Sequence, residues 1–536
     1  MPIDEEQFDA LLRDIDRSRR PGIAVGVALH GRPVYRKAFG LANLELPVVL
    51  SPTMRMRIGS ITKQFTAFAY MLLCDEGLAS IDDAIGVHIP EVHSNVRPVT
   101  MRQLMGNNSG LRDALDLCRQ FNGSDQGPIA THDVLSFYMD RSEVNSPPGI
   151  AYLYNNGGWY LVGAAIERIT GRPLEEVLLH RVFEPIGMHD TLLRRWEGEC
   201  VANSATAYVI GNGGRYERPE STGGLDWSGA GGIASTVDDM LKWLAHMSQP
   251  TVGSARTWQL MTTPQRLANG ISTSYGLGLS NMRVRGIEVI RHNGGVLGWN
   301  SQMTKVPSAN LDIIVLSNCR EVSASAYEEK ILELCVPGLD PRTPDVAYES
   351  EFPTGVFRSP TTGRVIALGS RDVEYYRGGT AVPAAAIDGH YYPVAPDASG
   401  VLRPCREVFG EFAITPIGDF MNPRALHFLS FGTADEFVSM SGDDASSRAE
   451  IIEGRYWSHE AEAAATVQRG ANGLEVRFKG RFGSAVQDLE HLAGGVWHTK
   501  MRDRWVLPKW GLLVFDDPKC FGFSNTFNKN VRFARQ

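Results

Sequence analysis

Apolar and polar positions alternate every second residue near the start of the chain. "GIAVGVALHG" (22–31) and "RPVYRKAFG" (32–40) therefore read as two strands of a hairpin, turning at His30-Gly31-Arg32. The period then lengthens. "FTAFAYMLL" (65–73) is an apolar helical run that stops at Asp75 and Glu76, and "GGWYLVGAAIERIT" and "STVDDMLKWLAHM" carry helical spacing too. The last of these opens with a capping box, Ser235 at the cap and Asp238 three residues on. Strand-like segments return in "YGLGLSNM", "IEVIRHNGG", "NSQMTKVP" and "LDIIVLSN", and "SASAYEEKILELC" reads as a closing helix. Strands at both ends of a helical middle predict an α/β domain over residues 1–336, its sheet completed by both ends of that segment.

"VPGLDPRTPDVAYESEFPTG" is rich in Pro, Gly and Asp and reads as a linker over 337–349. Beyond it helical periodicity is scarce. Short segments such as "RVIALG", "HYYPV", "GLEVRFKG" and "RWVLP" lie between turn signals, the pattern of small antiparallel sheets or barrels. "GVFRSPTTGRVIAL" from Gly355 and "GRYWSHEAEAAATVQR" from Gly454 form a weak internal repeat, with an aromatic two residues after a Gly. Two β-barrel domains are expected, 350–440 and 441–536, meeting near 430–450.

Apolar residues make up 43% and charged residues 21% of the chain, the balance of a globular protein rather than a disordered one. The formal charge of −8 argues against non-specific nucleic-acid binding. "MPIDEEQFDALLRDID" lacks the basic start and apolar stretch of a secretory signal, and the apolar run at 65–73 is about half the roughly 20 residues of a membrane span. A cytoplasmic location without a membrane partner is expected. The seven cysteines include no C-x-x-C pair, so neither a disulfide framework nor a zinc site is expected, and His88 and His93 have a spacing that suits no metal. No cofactor is implied.

One pair of polar residues stands out against this background. "RIGSITKQF" places Ser60 and Lys63 three apart before the apolar helix. Residues i and i+3 share a helix face, so the amine can reach the hydroxyl, and the helix N-terminus favours a developing alkoxide. A lysine acts as a base only when burial or a nearby cation lowers its pKa. Taken alone, S-x-x-K is a weak signal that occurs by chance in most proteins of this size, and two polar residues on one helix face is the better reading of it. Two further stretches follow in order: Tyr154-Asn155-Asn156, a Y-x-N motif leading into a helix, and His292-Asn293-Gly294 at the end of a strand. With "MRQLMGNNSGLRD", "VFEPIGMHDT", "SGAGGIASTVDDMLKW" and "SYGLGL" around them, these motifs make residues 5–335 resemble the serine β-lactamase-like, or penicillin-recognising, superfamily. With two barrels following, the whole chain is similar to its three-domain D-aminopeptidases.

The resemblance implies a β-lactamase/transpeptidase-like catalytic domain, with an antiparallel sheet flanked by helices and a helical subdomain. It also implies roles. Ser60 would be the acyl-forming nucleophile, and Lys63 and Tyr154 would share proton transfer, the tyrosine being activated by cationic character at Lys63 and His292. Asn156 would hold Lys63 and the substrate amide, and the backbone N–H groups of Ser60 and Gly295 would form the oxyanion hole. Gly294 and Gly295 would let substrate approach the strand edge. Asn108 and Ser109 would support the site or touch substrate, Tyr152 would pack beside it, and Trp299 or Asn300 would line the pocket or the core.

His292 and Asn293 stand where true β-lactamases and cell-wall carboxypeptidases carry K-T-G, which makes a poorer anion site. A small peptide or amide substrate is therefore expected, with an ester or β-lactam as the alternative and an idle binding domain as a third reading. A loop at 478–486, "FKGRFGSAV", with Gly480 and Gly483, is expected to reach the active site from the last barrel. It holds Lys479 and Arg481 but no acid, so amine recognition would fall to backbone carbonyls or to Asp488. A homodimer would be unsurprising.

Overall fold

The computed structural model describes residues 4–15, 19–122, 128–196, 198–211, 214–219, 226–296, 298–341, 352–372, 381–405, 412–440, 451–502 and 510–536. The expected hairpin forms from strands Ile23–Leu29 and Arg32–Phe39. His30 and Gly31 both take positive φ, 53° and 73°, as a two-residue turn matched to the twist of a hairpin requires. Leu311–Ser317 pairs with the other edge of Ile23–Leu29. The six-stranded antiparallel sheet runs Ser280–Val284, Ile287–Val296, Trp299–Val306, Leu311–Ser317, Ile23–Leu29, Arg32–Phe39. Strands from the two ends of the catalytic segment thus lie side by side in the sheet.

Side chains alternate between the two faces of this sheet. On one face Val25, Val27, Ile313 and Val315 pack with Phe8 and Leu12 of helix Glu5–Leu12 and with Ile331 and Leu332 of helix Ala324–Cys335. On the other, Ala24, Ala28, Ile314 and Leu316 meet the larger core that holds helices Thr62–Asp75, Gly157–Thr170 and Val237–Ser248. The cap of the last helix is Thr236, whose hydroxyl accepts from the Asp239 N–H, one residue later than the sequence suggests. Ser235 is still extended at the end of strand Ile233–Ser235 and bonds Thr191 instead.

Two closed antiparallel barrels of eight strands follow, as the fold class required. The first runs from Gly355–Arg358 to Thr433–Ser439 and the second from Gly454–Ser458 to Val531–Arg535, each closing first strand on last. The weak repeat at Gly355 and Gly454 marks these two opening strands. Residues 342–349 of the expected linker, and 441–450 at the expected junction between barrels, lie outside the described residues.

The second barrel shares its core with the catalytic domain. Phe121, just past helix Ala114–Gln120, is fully buried with its ring 4.8, 5.3 and 5.5 Å from those of Phe478, Phe523 and Phe533. The buried ion pair Arg112–Glu460 ties the same surfaces together.

Candidate active site

A single turn of 3-10 helix, Gly59–Ile61, carries Ser60 and runs directly into helix Thr62–Asp75. Gly59 has φ +53°, and a β-carbon there would lie 2.7 Å from the Gly295 nitrogen. One on Gly294 would lie 1.9 Å from the Ile58 carbonyl oxygen. The turn that carries Ser60 is therefore pressed against strand Ile287–Val296, and only glycine allows that approach. The neighbouring strand Ser280–Val284 pairs no further than Arg291, so its ladder does not cover Asn293–Val296. Gly294 serves the packing of protein on protein. Gly295 is exposed to the cavity, with nothing close to its missing side chain, and is the glycine that a substrate can approach.

Lys63 is wholly buried and has three oxygen neighbours: Ser60 Oγ at 3.1 Å, Asn156 Oδ1 at 2.9 Å and the Ala230 carbonyl at 2.7 Å. Loss of water lowers its pKa to about 7, against the opposing pull of the Asp113 charge. A neutral amine has two N–H donors and one lone pair. The amide and carbonyl oxygens, which can only accept, take the donors, leaving the lone pair directed at the serine hydroxyl.

Asp113 was not singled out by the sequence motifs, yet it fixes this arrangement. Its carboxylate accepts from Asn156 N at 2.7 Å, Asn156 Nδ2 at 3.3 Å, Gly157 N at 3.0 Å and Asp116 N at 3.1 Å. It thereby caps Ala114–Gln120 and binds the opening of Gly157–Thr170. With Nδ2 held by a carboxylate, Asn156 must present Oδ1 to Lys63. Burial raises the Asp113 pKa, while the backbone N–H groups and the Lys63 charge oppose it. The signal was the cap, Asp113 three before Asp116 in "DALD", but a sequence cannot show one cap serving two helices.

Tyr154 hydrogen-bonds Ser60, and the Lys63 amine lies 4.8 Å from its ring centroid. Burial pushes its hydroxyl above the ordinary tyrosine range, with the Ser60 bond opposing. His292 departs from expectation. It is 1% exposed, on the inward side of its strand with Gly294, while Asn293 and Gly295 face the cavity. Nδ1 donates to the Asn293 carbonyl at 2.6 Å, and Tyr275 Oη lies 2.9 Å from Nε2. Burial and the Lys63 charge lower its pKa to about 3, so it is a neutral ring and supplies no cationic character to Tyr154.

Ser60, Tyr154, Asn293 and Gly295 open onto a cavity of about 570 Å³. Arg291 and Gln302 line it from the sheet and Ser325 and Glu329 from the closing helix. His390 and Tyr392 line it from the first barrel, and Thr526 and Phe527 from the second. The second barrel therefore reaches the site through the loop between strands Cys520–Ser524 and Val531–Arg535. The loop expected to do so, 478–486, docks elsewhere: the N–H groups of Phe482 and Gly483 donate to Asn122, and Arg481 pairs with Asp133. Its hairpin lies on the side of the barrel that faces the helical subdomain. Asp488 pairs with Arg502 and is not among the cavity-lining residues.

The remaining candidates sort by contact. Tyr152 lines the cavity and packs against Tyr275 and Phe431. Asn108 and Ser109 are buried in loop hydrogen bonds, the Asn108 carbonyl accepting from Gly149 N and the Ser109 hydroxyl from Leu111 N. Trp299 is core, and Asn300 accepts from the first N–H of the closing helix. His88 bonds Tyr70.

A serine hydroxyl facing a buried, readily neutralised amine is what a serine hydrolase that works through an acyl-enzyme needs. The chain belongs to the Beta-lactamase family, whose profile matches residues 8–335. It is 29% identical over 367 residues to a D-aminopeptidase of Brucella canis, covering 68% of this chain and 69% of that one. It is 27% identical over 510 residues to a D-aminopeptidase of Cereibacter sphaeroides, covering 92% of each. The octameric penicillin-binding protein homologue of Pyrococcus abyssi superposes with a TM-score of 0.56 at 19% identity, over 99% of this chain and 100% of that one. The D-amino acid amidase of Ochrobactrum anthropi SV3 superposes at 0.53 and 21% identity, over 62% and 96%. Among the described residues no helix is long and apolar enough to cross a membrane.

Proposed function

We propose that this protein is a D-stereospecific serine hydrolase, an aminopeptidase or amino-acid amidase that cleaves an amide through a Ser60 acyl-enzyme. The observation that carries the reading is the Lys63 amine, buried and 3.1 Å from Ser60 Oγ. The names of the similar D-aminopeptidases support the substrate class.

In this reading Ser60 gives its proton to Lys63 as Oγ attacks the substrate carbonyl. The oxyanion is held by the backbone N–H groups of Ser60 and Gly295. Lys63 is the base, because its pKa near 7 leaves it neutral at modest cost, whereas burial disfavours a Tyr154 phenolate. Tyr154 relays the proton to the leaving nitrogen. A water molecule then attacks the acyl-enzyme by the same route in reverse, releasing the acid and restoring Ser60. His292 acts as a neutral support for the strand carrying Gly295. Domain limits of 1–336, 350–440 and 441–536, a homodimer and a cytoplasmic location belong to the same reading.

The test is hydrolysis of D- and L-alanine p-nitroanilide by wild type and Ser60→Ala. Turnover of the D form alone, lost in the variant, supports the reading; Ser60→Ala labelled as well as wild type by a fluorophosphonate sinks it. One observation favours a second reading. Arg291 lines the cavity two residues from Asn293, and its guanidinium would hold a substrate carboxylate in the place of the missing K-T-G lysine. Turnover of a chromogenic cephalosporin, lost in Arg291→Gln, would move the assignment to β-lactams.

A further inference from the structure

The loop that carries Phe527 does more than wall the cavity. Asn528 is fully buried, and its side chain grips the backbone of Asp113 on both sides: Oδ1 accepts from Asp113 N at 2.9 Å, and Nδ2 donates to the Asp113 carbonyl at 3.2 Å. The same Nδ2 donates to Asp116 Oδ2 at 2.8 Å, so both amide hydrogens and the amide oxygen are engaged. Asn525, also buried, donates to Asp116 Oδ2 at 2.9 Å and accepts from the N–H groups of Phe527 and Asn528, which sets the turn presenting Phe527. From the outer side, Asn145 donates to the Phe527 carbonyl and accepts from Lys529 N, both at 2.9 Å.

Asp113 in turn holds Asn156, and Asn156 holds Lys63. One series of hydrogen bonds therefore joins the Lys63 amine to the last barrel, and it passes through Asp113, the cap of the short helix Ala114–Gln120. The barrel grips that helix at its start with Asn525 and Asn528, and just past its end it receives Phe121. Nothing in a wall-forming role calls for three bonds to residues beneath Lys63.

We propose that Asn528 is a positioning residue for the Lys63–Asn156 pair, acting through Asp113, so that the proton acceptor is assembled only while the loop bearing Phe527 is docked. This rests on the reading of Ser60 as nucleophile but not on the choice of substrate. The groups facing Lys63 are Ser60 on its own turn, Asn156 and Tyr154 from the Y-x-N segment, and the Ala230 carbonyl, with Asp113 as the nearest charge acting on it and neutral His292 beyond. Undocking the loop would admit water to this cluster, and a solvated lysine holds its proton to higher pH.

The experiment is the rate of Ser60 labelling by a fluorophosphonate against pH, in the full-length wild type, Asn528→Ala, Asn145→Ala and Phe527→Ala. The expected result is that Asn528→Ala labels about fivefold more slowly at pH 7, with the acidic limb moved up by about one unit and the rate recovering at high pH. Phe527→Ala, which changes the wall and keeps the clamp, should keep the wild-type limb. If Asn528→Ala fails to fold, Asn145→Ala, which loosens the loop without touching Asp113, carries the same expected shift in weaker form. A folded variant of either kind with the wild-type limb and rate overturns the proposal. Absence of labelling in the wild type overturns the serine-hydrolase reading and the proposal with it.

Discussion

Tyr275 Oη lies 2.9 Å from Nε2 of His292, while Nδ1 of the same ring donates to the Asn293 carbonyl. The tyrosine hydroxyl must then be the donor to Nε2, and the two bonds fix one tautomer of a neutral imidazole. Tyr275→Phe removes a donor from a buried ring nitrogen and should cost about 1–3 kcal/mol of stability, read by urea denaturation. It should leave the pH profile of kcat/KM unmoved, because His292 is neutral throughout the working range.

With Lys63 as the base of the proposed reaction, the acidic limb of kcat/KM should belong to its amine. Activity should fall as pH drops through about 7, where the amine gains its proton. Asp113 favours the charged amine, so Asp113→Asn should move that limb to lower pH even as kcat falls through loss of the Asn156 anchor. A profile of Asp113→Asn with its limb at or above the wild-type position would contradict this account.

The same shift has a stability consequence. The Lys63 pKa is depressed on folding from the ordinary 10.5, so between about 7 and 10.5 the unfolded chain binds more protons than the folded one. The cost of burying the amine is full below that window and is relieved as pH rises through it. Lys63→Met should therefore gain most over wild type near pH 6, and the gap in denaturation midpoint should narrow towards pH 9.5.

Lys305 and Asp312 form a buried pair at 2.7 Å on adjacent strands, with Asp312 raised by burial and pulled back by the lysine. Lys305→Met would strand a carboxylate in the core and should cost about 3–5 kcal/mol. The double change with Asp312→Leu should recover most of that loss in the same denaturation assay.

Phe121→Ala should cost about 3–5 kcal/mol, since it empties a ring site inside the second barrel. Its signature is division of one thermal transition into two, with the barrel melting apart from the catalytic domain. A single shifted transition would show that the Asn528 clamp and Arg112–Glu460 suffice to couple them.

Much of this was legible in the chain. The hairpin at 22–40, the late strands and the paired barrel openings at Gly355 and Gly454 follow from periodicity and turn chemistry, which are local properties. The three motifs brought Ser60, Lys63, Tyr154 and Asn156 together because their order is tied to one fold. What escaped was set by position in space. "FKGRFGSAV" reads as the loop that reaches the site and "SNTFNKN" draws no notice, because which of them lines the cavity with Ser60 depends on how a closed barrel is docked. Asp113 belongs to none of the three motifs, and His292 reads as a possible cation until its burial and its bond with Tyr275 are seen. The cap at Thr236 shifted by one residue because Ser235 belongs to a strand ending, which no capping rule detects.

The sheet places strand Ile23–Leu29 between its hairpin partner and Leu311–Ser317. A ribosome delivers the first partner at once and the second only after the whole helical middle has been made. For that interval the hairpin presents a bare edge, open to wrong pairing with another nascent chain. The site strand that abuts Ser60 arrives in the same late stretch. Synthesis order thus keeps Ser60 without the strand that carries Gly294 and Gly295 until the sheet that positions it can close, so under the proposed mechanism the period of greatest aggregation risk is also one of chemical silence.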